Sequence, residues 1–238
     1  MNSYMLSFGG VDERLNTGRW NELNNATRGT ISAWFMNTSG TWRNTGIFER
    51  TLLAVDQFAI RLITGSNVRV LIPSGTTIAQ AATTAGDWAL NTAYHVVLTF
   101  NGDENGTNGI SRVRLYRNAI SMSLGAVGNP PFPRFFNSSS ASAVIGSTNL
   151  NAVFPLQGHM DEVAVWSGLC LSQSQINELF NSGSPSDLMS ASFGQPTHWW
   201  RMGDGIGDVF PNIQDMGTNP MSATMNNMES TDITASIF

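Results

Sequence analysis

Lysine is absent from this 238-residue chain, and all twelve basic residues are arginine. The phosphate-binding loop G-x-x-x-x-G-K-[ST] therefore cannot be written. Charge of either sign is scarce. Acidic and basic residues make up 12% of the chain, about half the usual share of roughly 25%. The net charge is −5 and no arginine cluster occurs. The basic face that double-stranded nucleic acid requires is missing, which sets that partner aside. An arginine-only basic set has two readings. One is a surface built for bidentate contacts with neighbouring subunits; the other is drift in composition.

Cysteine occurs once, at Cys170, so no intramolecular disulfide forms and the fold depends on its core. Flanked by Leu169 and Leu171, Cys170 reads as a small buried hydrophobe rather than a nucleophile. No apolar run approaches the ~20 residues of a membrane span. The opening "MNSYMLSFGG" has neither a basic n-region nor an apolar run of signal-peptide length. The expectation is a soluble protein made in a cytoplasm without a signal peptide. It would act outside a cell after lysis, assembly into a particle or an unconventional route.

What replaces the missing charge is Asn, Ser, Thr and Gly, while the hydrophobic share stays at 41%. That excludes disorder, which goes with low hydrophobicity and high charge. It suits an all-β protein with many turns. Short runs such as "TISAWFM", "NVRVLI", "YHVVLTF" and "SRVRLY" alternate apolar with polar residues between turn signals. This rhythm predicts an antiparallel two-sheet sandwich or jelly roll. One helix interrupts it, near Ser172 to Asn181. Ser172 and Gln175 have the spacing of a capping box, Leu171 and Ile176 that of a hydrophobic staple, and Gly183 is placed to close the helix.

Two stretches need separate comment. "NPPFPRFFNSSSAS" carries Phe132, Phe135 and Phe136 in a loop. They either pack on their own domain or form an apolar patch that binds a neighbour. "GHMDEVAVW" carries Asp161 and Glu162 in an apolar strand. Strict alternation puts Asp161 with Val163 and Val165, and Glu162 with Met160, Ala164 and Trp166. Whichever face is buried, a carboxylate then sits on it or at its rim.

The motifs resemble those of the concanavalin A-like lectin/glucanase superfamily, in its laminin-G-like and pentraxin-like branch. "LSFGGVDE", "ISAW", Trp88 with "YHVVLTFNG", "VRLYRNA" and "IGSTNLNAVFPLQGHMDEVAVWSGLCLSQSQINELF" carry the resemblance. It covers roughly 4–183. The "HWWRM" strand and tail, 196–238, look like the strand that commonly opens such domains, and they also resemble the tails of tailed-bacteriophage structural proteins. The expectation is one domain over 1–238, with a core over 1–183 that the tail completes.

The resemblance implies a jelly roll whose "DEV" strand lies beside the N-terminal strand, with Val163 and Val165 facing the core, Asp161 at the edge of that face, and Glu162 on the solvent side or paired with an arginine. It implies a structural Ca²⁺ at Asp161, or, failing that, a carboxylate that accepts backbone N–H bonds. It also implies sugar binding on aromatic platforms. Trp20, Trp42 and Trp88 are the candidates, although for each a place in the core is the stronger reading. The glucanase pattern E-x-D-x-E is absent, the three histidines are scattered, and no G-x-S-x-G occurs. An enzyme is not expected. The leading expectation is a non-enzymatic virion structural protein, a decoration, fibre or appendage subunit. Its partners would be itself and other virion proteins, with host glycans as ligands. The alternative is a carbohydrate-binding module of a bacterial surface or lysate-released protein.

Overall fold

The computed structural model describes residues 2–40, 45–50, 58–74, 77–105, 107–127, 132–134, 142–148, 151 and 154–238. The strands are, in chain order, β1 (Tyr4–Gly9), β2 (Arg14–Gly18), β3 (Arg28–Asn37), β4 (Thr45–Arg50), β5 (Phe58–Ile63) and β6 (Asn67–Ser74). They continue with β7 (Thr77–Ala82), β8 (Ala93–Asn101), β9 (Val113–Arg117), β10 (Ile120–Met122), β11 (Gly125–Ala126) and β12 (Ala143–Ile145). The last five are β13 (Gln157–Ser167), β14 (His198–Trp200), β15 (Asn212–Ile213), β16 (Ala223–Asn226) and β17 (Ile233–Ala235). The single α-helix described, α1, spans Gln173–Phe180.

The strands form two antiparallel sheets. The first has the order β10-β9-β8-β3-β13-β1-β17, with β14 also paired to β13. The second has the order β11-β7-β6-β5-β4-β12-β2-β16-β15. This is the expected jelly-roll sandwich with one short helix. Between the sheets lies a core of Leu6, Phe8, Phe35, Phe48, Ile60, Val70, Leu98, Ile145, Val163 and their neighbours. A second apolar layer packs α1 against the outer face of the first sheet, through Leu171, Ile176 and Leu179 against Val97, Tyr116, Ala164, Trp166 and Trp199.

The predicted helix signals are realised. Ser172 and Gln175 cap reciprocally. Leu171 and Ile176 are both buried. The C-terminus differs: Asn181, left-handed with φ 46°, caps the helix, and Gly183 closes the following 3₁₀ turn. Asparagine tolerates that conformation because its short amide bonds locally.

The tail joins both sheets. β14 pairs with β13, β16 with β2 and β17 with β1. Trp200 enters the inter-sheet core while Trp199 enters the layer under α1. Trp20, Trp200 and His198 stack on one another, with Trp20 and Trp200 centroids 5.3 Å apart, and Phe48 stacks 4.5 Å from Trp20. The imidazole of His198 lies 2.6 Å from Asp215 at Nδ1 and 3.3 Å from Glu22 at Nε2. Asp215 also accepts the backbone N–H groups of Trp199, Gly217 and Met221. A buried carboxylate is tolerated when donors satisfy it in this way.

One expectation about the sheet is corrected. β13 pairs regularly with β1 and β3, but its register against β3 slips between Asp161 and Ala164. Glu162 is the extra residue, with φ 47°. The bulge shifts the alternation by one position. Met160, Val163 and Val165 face the inter-sheet core, while Ala164 and Trp166 face the α1 layer. Asp161 lies opposite Trp34 rather than sharing a side with Val163.

Candidate functional site

The expected aromatic platforms are not surface features. Trp20 is 0% and Trp88 2% exposed. Trp88 packs on Phe35 and Tyr94 and donates its indole N–H to Thr83 Oγ1 at 3.3 Å. Neither ring has a free face for a sugar, because both complete the core. Trp42 lies outside the described residues. Phe132 is likewise buried at 2%, so it packs on its own domain instead of offering an interface. Phe135 and Phe136 lie outside the described residues.

Asp161 and Glu162 are buried, at 0% and 4% exposure. Asp161 Oδ1 accepts the Glu162 N–H at 2.9 Å, and Oδ2 accepts Asn2 Nδ2 at 2.8 Å and the Ser236 hydroxyl at 3.2 Å. Burial and the neighbouring Glu162 push the Asp161 carboxyl up to about 8. Asn2 Oδ1 is buried without a partner. Turning that amide over, which heavy-atom positions do not forbid, would let it accept the proton of a neutral Asp161. Glu162 accepts the Trp199 indole N–H and the Arg201 Nε–H. Its carboxyl is pushed up to about 7 by burial, with Arg201 opposing. Calcium takes six to eight oxygens. Here N–H and O–H donors fill the Asp161 oxygens, and the described residues include no group of three His, Cys, Asp or Glu suited to a metal. The surroundings fit a hydrogen-bonded carboxyl and not a calcium cradle.

A concave polar site lies elsewhere, on the outer face of the first sheet. α1 has eight residues, about 12 Å at 1.5 Å each. That covers fewer than three strands at roughly 4.8 Å spacing. Beside the helix, Arg114 on β9 and Ser121 on β10 therefore stay exposed, with Thr99 and Tyr116 buried beneath them. The result is a cleft of about 320 Å³. Its floor comes from two cross-strand pairs, Thr99 with Arg114 and Tyr116 with Ser121. Its wall is the run Cys170–Leu171–Ser172–Gln173 entering α1.

Charge in the cleft is arranged in two parts. Arg114 Nη2 meets both Glu104 carboxylate oxygens, at 3.0 and 2.9 Å. Arg112 donates Nε–H to the Glu104 carbonyl at 2.9 Å and an Nη1–H to the Phe132 carbonyl. Segment 132–134 crosses closely here: a Cβ at Gly102 would fall 1.7 Å from the Arg134 carbonyl oxygen, so only glycine fits. Burial pushes the Cys170 thiol up, which keeps it protonated and poorly nucleophilic. His95 is structural, buried in a cluster with Trp34 and Phe180, with its Nε2 2.8 Å from Ser32 Oγ. Desolvation lowers it to about 3.

Sequence reasoning found none of the cleft residues. The alternation in "SRVRLY" put Arg112, Arg114 and Tyr116 on one side, but nothing local brought Cys170 to Gln173 beside them.

No curated protein matches the chain. Among solved structures the fold is similar to that of a candidate carbohydrate-binding protein from Bacteroides ovatus, with TM-score 0.63 and 16% identity. That match covers 98% of this chain, which spans 59% of that protein's length. It is also similar to the CBM40 domain of the Ruminococcus gnavus IT-sialidase, with TM-score 0.54 and 12% identity over 74% of this chain and 97% of that one. That domain has also been solved with α2,3-sialyllactose bound. A third is the enzymatically active domain of bacteriophage CBA120 tailspike protein 2, with TM-score 0.53 and 14% identity over 85% of this chain and 30% of that one. At such identities the likeness is one of fold. A laminin G family model covers residues 9–177. With that match spanning most of a two-sheet jelly roll, the chain belongs to the concanavalin A-like lectin/glucanases superfamily.

Proposed function

We propose that the protein is a non-catalytic carbohydrate-binding module and that the cleft beside α1 is its ligand site. The observation that carries this is the cleft's lining: hydroxyl, amide, guanidinium and carboxylate groups of Ser121, Asn101, Gln173, Arg114 and Glu104 border about 320 Å³. Pockets for small ligands run from roughly 300 to 1,000 Å³. Lectin-like relatives support the reading, although fold alone does not establish it.

Glycoside hydrolysis generally needs two carboxyl groups flanking the bond. Among the described residues the cleft lining holds one, Glu104, and it is engaged with Arg114. The buried pair Asp161 and Glu162 is closed to substrate. A glycan microarray of the wild-type protein tests the reading, beside a Ser121→Trp variant. Ser121 is exposed on a short edge strand, so the indole should fill the cleft and abolish binding without changing the melting temperature. Retained binding in that variant would move the site elsewhere.

A second reading, a subunit docked in a larger particle such as a virion, is favoured by one surface loop. Ile206, Val209 and Phe210 are 84%, 68% and 40% exposed. Asp208 ties this loop down by accepting the N–H groups of Gly203, Gly205 and Gln214. Sedimentation of the purified protein, and mass spectrometry of purified particles, test that reading.

A further inference from the structure

We infer that the cleft beside α1 selects sugars carrying a carboxylate. The inference rests on the glycan-binding reading and names the ligand class for the same site.

The charge count points this way first. Among the described residues, the lining contains two arginines and one glutamate, a net positive set in a chain of net charge −5. Glu104 is spent on Arg114. Arg112 has no carboxylate partner among the described residues. Two backbone carbonyls fix its guanidinium by Nε and Nη1, which leaves Nη2 unspent. Its seat is tight, since a Cβ at Gly109 would fall 2.6 Å from Nη1. A guanidinium oriented in advance loses little freedom when it binds a planar carboxylate.

Two further features agree. Ser111 belongs to the lining, and its Oγ is buried without a hydrogen-bond partner. A buried hydroxyl left unpaired costs free energy, which a small turn of the side chain toward a ligand oxygen would recover. The first turn of α1 contains no acidic residue. The partial positive charge of its N-terminus, beside Ser172 and Gln173, is therefore not offset within the helix.

Among the described residues of the lining, Tyr116 is the one aromatic, and it is 4% exposed. Its ring offers no open face for stacking a neutral sugar, so charge and hydrogen bonds from the described residues carry the affinity.

The test is calorimetric titration of the full chain with an oligogalacturonate, its methyl ester and a sulfated galactan oligosaccharide. The acid should bind at least tenfold tighter than the ester, and its affinity should fall with added salt. Arg114→Gln, which makes the cleft neutral, and Arg112→Gln should each weaken acid binding by tenfold or more. Arg112 also braces segment 132–134. If Arg112→Gln lowers the melting temperature, the ester comparison and the exposed Arg114→Gln variant carry the test. Equal binding of acid and ester, unmoved by either variant, would overturn the carboxylate inference and leave the glycan reading standing. Preference for the sulfated probe would overturn the carboxylate assignment in favour of a sulfate ester. Binding of no carbohydrate on the microarray or by titration would overturn the glycan reading itself.

Discussion

Asp161 and Glu162 are neighbours in one strand and are both buried, as are the residues that follow them on both faces of β13. Each is then closed by a different part of the chain. Asn2 and Ser236 bond Asp161, while Trp199 and Arg201 bond Glu162.

Stability should fall as pH rises through the neutral range. Unfolded carboxyls titrate near pH 4. In the folded protein Asp161 is pushed up to about 8 and Glu162 to about 7. Between those limits the folded state holds more protons than the unfolded state, so raising the pH favours unfolding. The loss begins near pH 4 and is complete above about pH 8. A tenfold change in proton affinity between the two states is worth about 1.4 kcal/mol, so the loss for the interacting pair amounts to several kcal/mol. Urea unfolding from pH 4 to 9 should show this slope. Asp161→Asn should flatten it, raising the midpoint at pH 8 with little change at pH 5.

Calcium should not move the melting temperature at pH 7. The Asp161 oxygens already meet N–H and O–H donors. Thermal melts with millimolar calcium and with a chelator check this. A rise with calcium that Asp161→Asn abolishes would restore the metal assignment.

Removing the tail should unfold the sandwich. Trp200 is fully buried in the inter-sheet core, and β16 is hydrogen-bonded to β2. Trp200→Ala should cost roughly 3–5 kcal/mol, as large-to-small changes in cores do. Deletion from Pro196 onward should leave no cooperative transition. A truncated chain with an unchanged melting temperature would make the tail a separate arm.

Cys170 should alkylate slowly at neutral pH, because burial raises its thiol. Bound ligand should slow it further, since Cys170 lines the cleft. Mass-spectrometric rates of iodoacetamide labelling, with and without the oligogalacturonate, measure both effects. Unprotected labelling at saturating ligand would argue against the site.

The sheets were legible because they rest on local alternation, as in Ile31, Ala33 and Phe35, all inside the core. The helix was legible because Ser172 and Gln175 cap it through contacts three residues apart. The bulge at Glu162 was not, since "MDEVAVW" alternates acceptably in either register and only the pairing with β3 selects one. Burial of Trp20 was equally open, because it depends on Phe48 and Trp200 arriving from distant parts of the chain. The cleft escaped for the same reason: Thr99, Arg114 and Cys170 meet only after the sheet and helix have packed.

The stack of Trp20 on Trp200 also has an optical consequence. Two indoles 5.3 Å apart and 19° from parallel couple their electronic transitions. Such coupling gives a paired circular-dichroism band in the near-ultraviolet tryptophan region or just below it. One indole precedes the first long strand and the other belongs to the tail, so the part of the band that Trp200→Phe removes reports on their docking. Loss of the band while the β-sheet signal persists would reveal a state in which the C-terminal strand has let go and the rest of the sandwich still stands.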